Sequence, residues 1–63
     1  MTFTLKIKCD NAAFGAEGDH EDREALITEI KRILEHAGRK AERMDDGLLN
    51  DINGNKVGSF TLK

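Results

Sequence analysis

Apolar and polar positions alternate from residue 2 to residue 9, with Phe3, Leu5, Ile7 and Cys9 pointing one way and Thr2, Thr4, Lys6 and Lys8 the other. The pattern predicts a half-buried strand. Its wet face of threonine and lysine suits an antiparallel sheet with one exposed side. Residues 10–19 break the alternation with Asp, Asn and Gly, which predicts a loop from which the lone Phe14 returns to the core. Over residues 21–44 the period changes. Leu26, Ile30, Ile33, Ala37, Ala41 and Met44 follow helical spacing, and Ile27 and Leu34 widen the apolar stripe. Asp19 is the expected N-cap, with Glu21, Asp22 and Glu24 in the acidic first turn and Arg39, Lys40 and Arg43 at the other end. Gly38 interrupts this helix, so either a strand passes close to it or the helix bends there. Asp45-Asp46-Gly47 should end it, with Gly47 in a left-handed conformation.

Residues 48–52 and 55–62 read as two strands joined at Asn53-Gly54, the pair most tolerant of the positive φ a tight hairpin needs. A two-residue turn would put Leu49, Gly58, Phe60 and Leu62 on one face and Leu48, Ile52 and Val57 on the other. A three-residue loop with a bulge would instead align Leu48, Ile52, Gly58, Phe60 and Leu62, since a slip of one residue exchanges the faces. The expected fold is a single α+β domain over residues 1–63. It is a two-layer strand-helix-strand-strand unit, one amphipathic helix packed on a three-stranded, mainly antiparallel sheet. The expected strand order is 1-3-2, with 1-2-3 through a parallel first pair as the alternative.

Composition narrows what such a unit can be. A chain of 63 residues buries only about 60% of its unfolded surface and needs reinforcement. The single cysteine rules out an internal disulfide, and with His20 and His36 it falls short of a structural zinc site. Self-association is the expected supplement, making a homo-oligomer the favoured partner. No signal-peptide core or membrane-spanning run is visible, so the expected location is cytoplasmic with no membrane partner. The net charge of −2 and the absence of Trp and Tyr disfavour nucleic acid as a partner.

Candidate chemistry is sparse. Asp51-Ile52-Asn53-Gly54-Asn55 superficially resembles a calcium loop, but the ligand spacing is wrong and the hairpin turn accounts for it. The acidic stretch with His20, from Asp10 to Asp22, reads as a solvated loop and helix start. His36 reads as a surface residue. Cys9 closes the inward row of the first strand and reads as a small buried hydrophobe. No catalytic, cofactor or metal site is expected. The candidate interaction surface is the exposed strand face, where Lys6 and Lys8, joined by Lys56 or Lys63 according to the hairpin register, form a small basic strip, with Val57 and one of Leu48 or Leu49 adding apolar contacts. Such lysines also protect an edge against aggregation.

The segment from Asp46 to Phe60 carries D-G, a leucine and then D-x-N-G-N-x-V-G-x-F. With Asp10-Asn11-Ala12-Ala13-Phe14 after the first strand, it resembles short uncharacterised bacterial and prophage-encoded proteins. The resemblance implies a bacterial or phage accessory protein and transfers no functional residue. The leading expectation is a non-enzymatic protein acting through protein association. The alternative is a nucleic-acid accessory role for the lysine strip.

Overall fold

The computed structural model describes residues 1–17 and 20–63, and for Ala12, Ala16, Glu17, His20 and Glu21 the backbone alone. Strand β1 (Phe3–Ile7) leads through a 3-10 turn (Ala12–Phe14) to β2 (Ala16–Glu17) and β3 (His20–Glu21). Helix α1 (Arg23–Ala41) and the hairpin of β4 (Asp46–Asn50) and β5 (Lys56–Leu62) follow. The main sheet is antiparallel throughout in the order β1-β5-β4, so the returning C-terminal strand lies in the middle as the 1-3-2 reading expected. A two-residue ladder between β2 and β3 is an addition within the segment read as a loop and helix start.

The helix is capped by Asp22, whose carboxylate accepts from Ala25 N–H at 3.1 Å. Asp19, the expected cap, lies outside the described residues. The helix runs unbroken through Gly38, where an added Cβ would meet nothing within 4 Å, so no close strand explains this glycine. It ends at Ala41, short of Met44, and the Arg43 and Met44 N–H groups donate back to Lys40 O at 3.0 and 2.9 Å. Gly47 does not close the helix. It belongs to β4, where an added Cβ would stand 2.6 Å from the Phe60 ring.

The core comprises Phe14, Ile33, Ala37, Leu49, Val57 and Phe60, with Leu5, Ile7, Leu26 and Ile30 packed against it. Phe14 returns to the core as expected. Ile27 and Leu34 stay exposed, so the buried stripe of α1 is narrower than its apolar pattern.

The hairpin loop is Ile52-Asn53-Gly54. Gly54 N–H donates to Asp51 O at 3.0 Å, Asp51 N–H donates to Asn55 O at 2.9 Å, and Gly54 holds φ +85°. This is the three-residue form, yet it buries Leu49 rather than Leu48. The reason is a second irregularity. Leu49 pairs with Gly58 but Asn50 pairs with Lys56, leaving Val57 as an extra residue in β5. Val57 and Phe60 are three apart and could not share a face of a regular strand. The bulge turns both inward and leaves Leu48 and Ile52 outside.

Candidate functional site

Both outer strands of the sheet carry a row of backbone groups that no other strand uses, and the two rows are treated differently. On the β4 side Leu62 N–H donates to Asp45 O, which makes Asp46, Leu48 and Asn50 turn their backbone groups away from β5. Helix α1 answers two of them, the carbonyls of Leu48 and Asn50, and among the described residues no hydrogen bond meets the outward N–H groups of Asp46, Leu48 and Asn50. Lys40 Nζ donates to Leu48 O at 2.5 Å and Arg32 Nη2 to Asn50 O at 3.0 Å. Glu29, only 5% exposed, accepts from Ile52 N–H at 3.1 Å with one oxygen and pairs with Arg32 Nε through the other. A buried carboxylate is tolerated here because both oxygens are engaged by donors.

On the β1 side Lys63 N–H donates to Thr2 O at 2.9 Å and Thr2 N–H donates back to Lys63 O. That exchange sets the alternation. Thr4 and Lys6 direct their backbone groups at Thr61 and Ser59 of β5, while Phe3, Leu5 and Ile7 direct theirs outward. Among the described residues the only group that approaches this row is the Cys9 thiol, 3.9 Å from Ile7 O, a weak contact. The inner face beside it is also thinly covered. Phe3 stacks on Phe60 with ring centroids 5.7 Å apart but remains 46% exposed.

The outer face presents Thr4 and Lys6 from β1, Ser59 and Thr61 from β5, and Asp46 and Leu48 from β4. Of the residues assigned to an interaction surface, Lys6, Lys8, Lys56 and Lys63 are exposed. Lys6 and Lys8 lie toward the Lys56 end of the sheet, since Lys8 N–H donates to Val57 O at 2.8 Å; Lys63 lies at the far end beside Thr2. Lys8 stands 4.0 Å from Asp10, a solvent-exposed pair of little energetic weight. Val57 is 8% exposed and belongs to the core, so it contributes nothing to this surface. The outward leucine is Leu48, on β4.

Two further groups hold the scaffold. Asp51, 3% exposed, accepts from Asn53 N–H at 2.9 Å, Asn55 N–H at 2.8 Å, Asn55 Nδ2 at 3.3 Å and Asn11 Nδ2 at 2.8 Å. Burial pushes its carboxyl up, but these bonds, led by the Asn55 N–H, outweigh it and hold the pKa below the ordinary carboxylate value. The apparent calcium loop is thus a turn whose carboxylate is filled by its own amides. Asn11 Oδ1 also accepts from Ala13 N–H at 3.0 Å, so the same contact anchors the turn that seats Phe14. Cys9 is half-buried, and desolvation, then the Asp10 charge, push its thiol pKa up. His36 is exposed.

Neither Glu29 nor Asp51 stands out from residue type alone, but each leaves a trace in the sequence. Glu29 falls inside the apolar stripe between Leu26 and Ile33 with Arg32 three residues on, the spacing of a helical ion pair. Asp51 begins a D-x-N-G turn, where an aspartate caps the following amides.

A groove of about 430 Å³ opens beside Ala25, Thr28, Glu29 and Ile52, but the Glu29 and Arg32 side chains that line it are already bonded to each other and to the hairpin. Among the described residues no group of three His, Cys, Asp or Glu side chains is placed to hold a metal, and no helix is long and apolar enough to cross a membrane. No family model, curated protein or solved structure matches this chain.

Proposed function

We propose that this is a small non-enzymatic protein that acts through protein association, assembling with a second copy of itself. The observation that carries the reading is the contrast between a β4 edge where α1 side chains meet two outward carbonyls and a β1 edge where, among the described residues, none of the outward groups is met by a helix side chain. An open strand edge is a template for another strand, and a domain this small gains stability from a partner that covers it. The proposal extends to an accessory role in a bacterial or prophage setting, the expectation attached to the D-x-N-G-N-x-V-G-x-F hairpin.

Sedimentation equilibrium over a wide concentration range at low and moderate salt tests this reading. A dimer supports it, and a monomer at every concentration overturns it.

A second reading draws on the lysines toward one end of the sheet, Lys6, Lys8 and Lys56, beside Thr4, Ser59 and Thr61 on the outer face. These groups would contact a phosphate backbone. If three lysines neutralise phosphates on duplex DNA, log K should fall against log salt with a slope of roughly −3. No binding to DNA or RNA at low salt removes this reading.

A further inference from the structure

Resting on the self-association reading, we propose that two copies join their β1 strands antiparallel about a two-fold axis through Leu5, making one continuous sheet across the dimer. The outward backbone groups belong to Phe3, Leu5 and Ile7, and a two-fold axis at Leu5 sets Leu5 against its own copy and Phe3 against the partner's Ile7. In that arrangement each of these residues exchanges both backbone bonds with the residue it faces. The weak contact of the Cys9 thiol with Ile7 O gives way to a hydrogen bond donated by the backbone N–H of the facing Phe3.

Charge selects this register over its neighbours. With Leu5 on the axis, Lys6 faces Thr4 of the other copy and Lys8 faces Thr2. With Lys6 on the axis, Lys6 faces Lys6, and with Ile7 on the axis, Lys6 faces Lys8; like charges placed directly opposite are destabilising. With Thr4 on the axis, Ile7 faces Met1, which lies outside the strand. Only the Leu5 register sets strand residues against strand residues and separates the lysines.

The inner face points the same way. Helix α1 packs on β4, at the far side of the sheet from β1. It therefore stands clear of the axis and leaves Phe3 half-exposed. Pairing at Leu5 places the partner's Ile7 beside Phe3, an aromatic and β-branched pair on the apolar side.

Two measurements test this. Cys9 offers a ligation junction, so a synthetic 1–8 segment N-methylated at Leu5 can be joined to 9–63. The methyl group removes one outward donor per copy and blocks approach, leaving every side chain in place. Dimer affinity by sedimentation should fall about 100-fold or more with the circular dichroism spectrum unchanged.

The register is read separately in a Cys9→Ser background. An equimolar mixture of Thr4→Cys and Lys6→Cys proteins should form the mixed disulfide, with little homodisulfide from either alone, because only facing residues come within bridging distance. A dimer unaffected by N-methylation overturns the β1 interface while self-association stands. Preferential homodisulfides of Lys6→Cys or Thr4→Cys overturn the register alone. A wild-type monomer overturns both readings.

Discussion

The two edges of the sheet have the same backbone chemistry and opposite fates. Along β4, the carbonyls of Leu48 and Asn50 and the N–H of Ile52 are met by Lys40, Arg32 and Glu29, all from one face of α1. Along β1, no α1 side chain hydrogen-bonds the outward backbone groups of Phe3, Leu5 and Ile7, and Lys6 and Lys8 supply only charge on the outer face. A helix on one side of a three-stranded sheet cannot guard both edges. The edge it leaves is the one proposed for self-pairing, and in that proposal Lys6 and Lys8 select the register.

Breaking the open edge at its root should have the largest effect. Gly58 faces Ile7, and an added Cβ would stand 1.9 Å from the Lys6 carbonyl oxygen, a backbone atom that cannot move aside. Gly58→Ala should therefore force β1 from β5 at a cost of about 3 kcal/mol, seen in urea unfolding, and abolish any dimer. Wild-type stability would show that the strands separate there without penalty.

The guarded edge is next. Glu29→Ala leaves the Ile52 N–H and the Arg32 guanidinium without their buried acceptor, and stability should fall by about 2 kcal/mol with the urea slope unchanged. An equally stable variant would mean that the helix does not hold the β4 edge through this carboxylate.

Asp51 ties the hairpin to the turn after β1 and so joins the two sides of the sheet. Because its folded pKa is lowered, its stabilisation is full above the unfolded carboxylate value of about 3.9 and is lost as pH falls through the folded value. Asp51→Asn, which cannot accept all the donors, should lower stability at pH 7. The gap from wild type should narrow as pH drops below the unfolded value. A gap independent of pH would contradict the assignment.

Lys40→Met keeps the apolar stem and removes the donor to Leu48 O, for an expected loss of about 0.5–1 kcal/mol. Its more telling readout is sedimentation, where species larger than a dimer should appear once β4 is partly unguarded. Gly38→Ala touches neither edge and fills open space on the helix, so it should raise stability by about 0.5–1 kcal/mol without changing association.

Much of this molecule is written in its local patterns. Alternation at residues 2–9 marks β1, the Leu26-Ile30-Ile33-Ala37 spacing marks α1, and Asn53-Gly54 marks the hairpin, because side-chain direction repeats every two residues in a strand and every 3.6 in a helix. The strand order also followed, since a hairpin after a helix returns the last strand beside the first. What escaped were departures from period. The Val57 bulge, which buried Leu49 in place of Leu48, arises because the core needs both Val57 and Phe60, and no local rule announces that demand. Gly47 looked like a helix terminator because glycine after Asp-Asp usually is one; its actual constraint is a phenylalanine ring on the neighbouring strand.

Residues a few positions apart were enough for the class of fold, for β1 with its inward and outward faces, and for the existence of α1 and the hairpin. Which edge the helix side chains reach is instead a matter of tertiary packing. Arg32 meets Asn50 and Glu29 meets Ile52 across long stretches of chain, and a lysine such as Lys40 reads the same in sequence whether it caps a carbonyl or lies in water. Edge protection is a property of contacts between elements, and such contacts exist only once helix and sheet have packed.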